Sequence, residues 1–337
     1  MDLNNYVLVP EVVEIHTNIT SIPGFKFGFA FHEINKFKAS HSKVKLYYLV
    51  VRDVDHSKYF SHEDLEHKYR EVLINEQANI ILFEKKIFNL LKLQFLLDVR
   101  DINSPKVLVN KFYHKYWRNT FGHIYSPGII LHNLLAMVLT MKNFVPICFS
   151  AVQIYDKSFL LIGISGSGKT SLICKVIKSG GRVISEDNLV IDKDGNIYSC
   201  IHMLANPKSL KTIIHYCNID ISAKKRLTLF DLFDENNISV KGKIDGVVFL
   251  ERGRPCLTEL SIDESLNRIS ILNKGNYFYE TIPVTQALMF FNKRFSEVRK
   301  KEEQILKKAL RKSKIALIRW KTIDHLYDLF MRFVKVV

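Results

Sequence analysis

The stretch LLIGISGSGKTSL, residues 160–172, restricts the fold more than any other part of the chain. Gly163, Gly168, Lys169 and Thr170 fit G-x-x-x-x-G-K-[ST], the Walker A pattern, at every fixed position. An apolar run leads in and a helical pattern leads out, so strand, tight turn and helix must follow one another without a break. The glycines let the backbone curl until successive N–H groups point inward as an anion nest. The helix that follows sets its positive dipole end behind that nest. Lys169 supplies a point charge for β- and γ-phosphates, and the Thr170 hydroxyl suits Mg²⁺, a hard cation that takes oxygen ligands. The expected phosphate-binding loop is therefore Gly163, Ser165, Gly166, Ser167, Gly168, Lys169, Thr170 and Ser171, with ATP and Mg²⁺ as the groups it takes.

Such a loop also needs a carboxylate for the metal and one for the attacking group. RVISED (182–187) reads as the next strand and ends on Glu186 and Asp187, 17 and 18 residues after Lys169. If neighbouring strands end on the same side, both acids reach the loop. Asp192 and Asp194 fall in the turn of a hairpin spanning NLVIDKDGNIYSC (188–200) and read as turn formers.

The rest of the pattern interleaves strands and helices, which predicts an α/β fold. Strands are expected at 45–51, 78–84, 104–112, 147–154, 158–163, 243–253 and 314–320. Helices are expected at 126–142, with Ser126 as cap and Pro127 in the first turn, and at 170–180, 282–295, 302–312 and 323–334. The shift near Val145 divides the chain into residues 1–143, a smaller N-terminal α/β domain for recognition, and residues 144–337, the catalytic domain.

Composition excludes several classes. At 337 residues and 47% hydrophobic residues the chain has ample core material. Its five cysteines, Cys148, Cys174, Cys200, Cys217 and Cys256, share no metal or redox spacing, which suits a reduced, cytoplasmic protein. The start MDLNNYVLVPEVVEIH lacks the pattern of a secretory leader. The apolar run 129–141 is too short to span a bilayer. Of the net charge of +15, residues 294–321 contribute eleven basic against three acidic residues. Such a stretch reads as a solvated helix face. It could draw in an acidic partner or nucleic acid, although no aromatic platform interleaves it, which disfavours nucleic acid.

The run 148–191, CFSAVQIYDKSFLLIGISGSGKTSLICKVIKSGGRVISEDNLVI, resembles the core of HPr kinase/phosphorylase and its relatives, which share a P-loop fold with phosphoenolpyruvate carboxykinases. GKIDGVVFLERGRPCLTELSIDESL (242–266) is similar to a strand and following segment of the wider group. The resemblance implies a P-loop kinase core with a smaller front domain. It implies phosphate contacts from Lys169 and Thr170, and a metal-side ligand at Asp187. Glu186, one methylene longer than the family's aspartate, falls where the family has its base. The family's upstream histidine falls on Cys148, which has no imidazole chemistry; that argues against phosphate recycling and against HPr as acceptor. A buried, inert strand cysteine is the expectation for Cys148.

The acceptor is set by residues outside the loop. Lys208 and Arg252 are the candidate clamps for a γ-phosphate or an anionic substrate, with His202, Lys211 and Arg254 beside them. His114, His123 and His132 match no metal spacing and read as structural. The expected activity is transfer of a γ-phosphoryl group to a hydroxyl, on a serine of a peptide or protein or on a small metabolite. A nucleotide-binding scaffold with degraded chemistry and a nucleic-acid-associated P-loop ATPase are the alternatives. The acceptor's identity, the choice of ATP over GTP and homo-oligomer formation stay open.

Overall fold

The computed structural model describes residues 3–28, 42–60, 68–69, 71–75, 79–88, 90–116, 124–200, 229 and 233–337. The chain forms two compact units, Met1–Lys142 with Tyr277–Lys301, and Asn143–Asn276 with Glu302–Val337. Both sheets mix parallel and antiparallel pairs, so each unit is α/β in class. No helix among the described residues is long and apolar enough to cross a membrane.

The first unit opens with strands β1 (Asn4–Val9), β2 (Val13–Thr17), β3 (Val44–Val51), β4 (Lys68–Tyr69), β5 (Val72–Ile74), β6 (Ile80–Ile87), β7 (Leu91–Asp98) and β8 (Lys106–Asn110). They make one sheet in the order β1-β2-β3-β8-β7-β6-β5-β4. Strands β2, β3 and β8 run parallel, and the others pair antiparallel. The segment expected as a strand over 104–112 turns helical at its end, as α1 (Lys111–Tyr116). Helix α2 (Pro127–Met141) starts where its sequence said it should: the Ser126 hydroxyl accepts from the Ile129 N–H, and Pro127 occupies the first turn. It ends before Asn143, which takes a left-handed φ of 67°. Its side chains are buried on nearly every face, and its polar ones bond inward or along the helix: Thr140 donates to the Ala136 carbonyl and Asn133 to that of Ile129.

The second unit carries β9 (Phe144–Ile147), β10 (Ser150–Ile154), β11 (Lys157–Ile162), α3 (Lys169–Lys178), β12 (Arg182–Ser185), β13 (Leu189–Asp192), β14 (Asn196–Ser199), β15 (Lys241–Arg252), β16 (Cys256–Glu259) and α4 (Ile262–Lys274). The sequence expected one strand over 147–154. The chain instead breaks at Cys148-Phe149, because β9 pairs with β13 while β10 pairs with β11 and β12. Asp192 forms its turn as expected, accepting from the N–H groups of Asp194 and Asn196.

Helix α5 (Pro283–Phe291) belongs to the first unit, with the rest of 277–301, and this corrects the expected assignment of 144–337 to a single domain. The cause is burial: Tyr277, Tyr279, Ile282, Val284, Leu288 and Phe295 have no exposed surface, and Asn292 and Arg294 both donate to Asn79. The chain ends with α6 (Val298–Leu310), β17 (Lys314–Trp320) and α7 (Ile323–Val336).

In the second sheet β11, β15 and β17 run parallel, and β12 lies two antiparallel pairings from β11, so it points the same way. Alternation sends Val152, Phe159, Leu161, Val248, Leu250 and Ile318 to a core shared with α3 and α7. It sends Ala151, Leu160, Ile162, Val247, Phe249 and Leu317 to a core shared with α4 and α6. The sheet is thus covered on both faces, and its strands' C-terminal edge is where side chains can reach a ligand.

His132 on α2 is fully buried, stacked on Tyr277 at 4.6 Å and beside Phe27 at 5.2 Å, and neither ring nitrogen finds a hydrogen-bond partner among the described residues. Burial, with a smaller contribution from Lys26, holds its pKa well below the ordinary histidine value. The unfolded chain therefore binds a proton that the folded one refuses. The stability it permits is present above about pH 6.5 and drains as pH falls below that, by up to about 1.4 kcal/mol per unit. His132→Phe keeps the ring stack and is expected to flatten the acid side of the stability curve between pH 6.5 and 5, read by urea unfolding. Parallel losses in both proteins would remove His132 as the cause.

Candidate functional site

The parallel register brings the ends of three strands together. Ser150 lies opposite Leu161, Ala151 opposite Ser185, and Ile162 opposite Phe249. The loop leaving β11 and the acids leaving β12 therefore meet at one edge, beside the end of β15. There a cavity of about 600 Å³ is lined by Gly163–Gly166, Gly168–Ser171, Glu186, Asp187, Arg252, Cys148, Phe149, Leu272, Gly275 and Asn276.

The loop's glycines are required by the space around them. Gly168 caps α3 with φ of 99°, and a Cβ there would come 2.4 Å from the Trp320 ring. A Cβ on Gly163 would come 2.4 Å from the Ser167 hydroxyl and 2.8 Å from the Leu250 carbonyl. Gly166 also has a left-handed φ, 84°, but open space at its Cβ position. The Trp320 indole N–H donates to the Ser167 carbonyl at 2.9 Å, tying the crest of the loop to the last strand. The Ser167 hydroxyl is buried and has no hydrogen-bond partner among the described residues.

Lys169 folds its ammonium back onto the Gly163 carbonyl at 2.7 Å and the Ile164 carbonyl at 3.2 Å. Burial pulls its pKa below the ordinary lysine value, opposed by Asp187, Glu186 and Cys148. The Thr170 hydroxyl donates to Glu186 at 2.7 Å, and Ser150 donates to the Glu186 carbonyl. Glu186 is buried, whereas Asp187 is half-buried at the cavity wall. Cys148 is not the buried strand cysteine expected. It is part-exposed in the cavity, at the break between β9 and β10, with its thiol 3.0 Å from the Asn188 amide oxygen. Arg252 lines the same cavity, its guanidinium 3.4 Å over the Trp320 ring and donating to the Lys321 carbonyl at 3.2 Å. Lys208, with His202 and Lys211, lies outside the described residues.

No protein-family model matches the chain, and no curated protein matches it. The solved structure of the Hpr(Ser) kinase/phosphatase from Coxiella burnetii is similar to 57% of this chain over 99% of its own, at 9% sequence identity and a TM-score of 0.30. A likeness that distant decides nothing about chemistry.

The chemistry follows from the donor set. One ammonium, the glycine loop and the start of α3 line the cavity together with a hydroxyl and two carboxylates. Among the described residues no three His, Cys, Asp or Glu cluster into a self-sufficient metal site. A hard cation here would take Thr170 and one carboxylate and complete its shell with ligand or water oxygens. Trp320 and Ser150 escaped the sequence reading. Neither belongs to a motif, and each acts by holding a backbone carbonyl in place.

Part of the basic stretch 294–321 is engaged in internal pairs: Arg299 with Glu280 at 2.8 Å, Lys307 with Asp263 at 3.3 Å and Arg319 with Glu251 at 3.1 Å.

The two left-handed glycines separate strain from crowding. Gly166→Ala meets only the backbone penalty, about 1–2 kcal/mol. Gly168→Ala meets that penalty and the indole, and is expected to cost at least about 2–3 kcal/mol. Chemical unfolding of both variants checks the order; equal losses would mean that Trp320 yields freely.

Proposed function

We propose that this chain is an ATP- and Mg²⁺-dependent kinase that transfers a γ-phosphoryl group to a hydroxyl on a peptide, protein or small metabolite. The observation that carries the reading is the loop itself: two left-handed glycines, one with no room for any side chain, ahead of a helix whose first residue is Lys169. The residues fit a phosphate and its cation. The loop has the glycines that an anion nest requires, the buried Ser167 hydroxyl is unpartnered among the described residues, and Thr170 and two carboxylates offer oxygen to a hard cation.

Bound ATP–Mg²⁺ would supply the phosphoryl group and neutralise its charge. The chain's own part is positioning and electrostatics. Lys169 would leave its two carbonyls and turn to the β- and γ-phosphates, a short rotation of a side chain already at the loop mouth. Thr170 and one carboxylate would hold the metal. The other carboxylate would accept the acceptor's proton. Arg252, pinned flat on Trp320, would offer a fixed charge at the rim.

The resemblance assigns Asp187 to the metal and Glu186 to the proton. One contact favours the exchange: Thr170 donates to Glu186, the more buried of the two acids lining the cavity, which would suit Glu186 to the metal and leave Asp187 to the acceptor's proton. Replacing each acid with its amide distinguishes the two. The base variant is expected to keep nucleotide affinity and Mg²⁺ dependence and lose turnover by about 10²–10⁴-fold. The metal-side variant raises the Mg²⁺ requirement.

Lys169→Ala should abolish transfer with the fold intact by circular dichroism. Full-rate transfer by the Lys169→Ala protein would end the kinase reading. Nucleotide binding by the wild type without any turnover, against a panel of hydroxyl acceptors, would favour a nucleotide-binding scaffold.

A further inference from the structure

A second hollow, about 630 Å³, lies against the outer side of the same loop. It shares Gly163–Gly166, Arg252 and Leu272 with the cavity already described, but its chemistry is different. Its walls are apolar: Ile162, Phe249, Leu250 and Leu272 below, with Ile164 on the loop and Ile271 on α4 at the rim. Those last two are 69% and 62% exposed, although nothing in loop or helix packing calls for an aliphatic side chain at such positions. Scattered apolar surface is ordinary; two branched side chains flanking one groove beside an anion nest are not scattered.

Apart from Arg252, which this groove shares with the first cavity and which lies on the Trp320 ring, the charges here pair with one another. Arg268 donates to Glu251 at 2.7 Å and to Glu264 at 3.0 Å, and Arg319 donates to the other Glu251 oxygen at 3.1 Å. The groove is therefore lined by paired ions at one end and hydrocarbon along its length. Along that length it suits a flat, uncharged, weakly polar ring, and the Arg252 guanidinium lies on the wall it shares with the first cavity.

We infer that this groove takes the nucleobase of the nucleotide, clasped between Ile164 and Ile271. The inference rests on the kinase reading for the position of the phosphates. A base tethered to phosphates in the nest must lie in a space continuous with it, and this groove shares the loop wall. The acceptor is excluded from it by proton chemistry: its hydroxyl must reach Glu186 or Asp187, both of which line the other cavity, while the groove's own carboxylate is held by two arginines. An apolar clasp grips any purine face, so Ile164 and Ile271 contribute affinity for the nucleoside rather than a choice between adenine and guanine.

Calorimetry with Mg²⁺ and two probes, ATP and inorganic tripolyphosphate, tests it. The wild type is expected to bind ATP more tightly than tripolyphosphate. Ile271→Glu, at an exposed helix position, is expected to weaken ATP by roughly tenfold and tripolyphosphate by less than twofold, and Ile271→Phe to retain ATP affinity. Equal wild-type affinities for the two probes, or ATP binding that Ile271→Glu leaves unchanged, would overturn the base groove while leaving the phosphate nest standing. Failure of both probes to bind the wild type would overturn the phosphate reading and this inference with it.

Discussion

The indole of Trp320 fixes the geometry on which the site depends. It closes the last parallel strand, donates to the Ser167 carbonyl, fills the space a side chain on Gly168 would need and carries Arg252 on its ring. A loop rich in glycine has no reason to prefer one shape, since glycine loses the most conformational freedom on ordering. Here the preference comes from outside the loop. The ring blocks the alternatives at Gly168, and the hydrogen bond holds the preceding carbonyl away from the ligand side. Because β15 and β17 are in parallel register, with Arg252 opposite Trp320, the Arg252 guanidinium and the crest of the loop are positioned by the same pair of strands.

A nest that is held in shape still has to avoid collapsing on its own counter-charges. Lys169 has two carboxylates close enough to raise its pKa, yet its ammonium rests on loop carbonyls. Glu186 is instead occupied by Thr170 and by the backbone geometry that Ser150 secures. The cation and the acids are thus kept apart by hydrogen bonds to neutral partners, each worth about 1.5–3 kcal/mol net. Such bonds hold a resting arrangement and can be exchanged for stronger, charge-assisted ones when an anion arrives. Burial of Lys169 works in the same direction, since a partly desolvated ammonium gains more from a phosphate than a hydrated one.

What the sequence disclosed was local. The G-x-x-x-x-G-K-T spacing, the cap at Ser126, the hairpin at Asp192 and the acid pair after β12 each follow from residues within a few positions of one another, where backbone preference and side-chain chemistry act together. Helix α4 was not among the expected helices, although Ser261 and Glu264 make a local capping signature and the Ser261 hydroxyl accepts from the Glu264 N–H at 3.2 Å. The rest depended on distance. Trp320 stands 153 positions from the carbonyl it binds, and nothing in an amphipathic pattern says which sheet a helix such as α5 will cover. The break at Cys148-Phe149 was hidden for a related reason: an unbroken apolar run does not reveal that its two halves pair with different neighbours.

That break changes what the edge can do. In the resembling family an imidazole occupies the position of Cys148, and an imidazole can give as well as take a proton near neutral pH. Here a thiol lies against the Asn188 amide, and among the described residues no histidine lines the cavity. An ionised carboxylate only accepts, and a thiol is a weak donor. On the proposed reading, the carboxylate that takes the proton of an attacking hydroxyl is also the group that would return it in the reverse step, so the difference from the resembling family is the imidazole charge absent at Cys148.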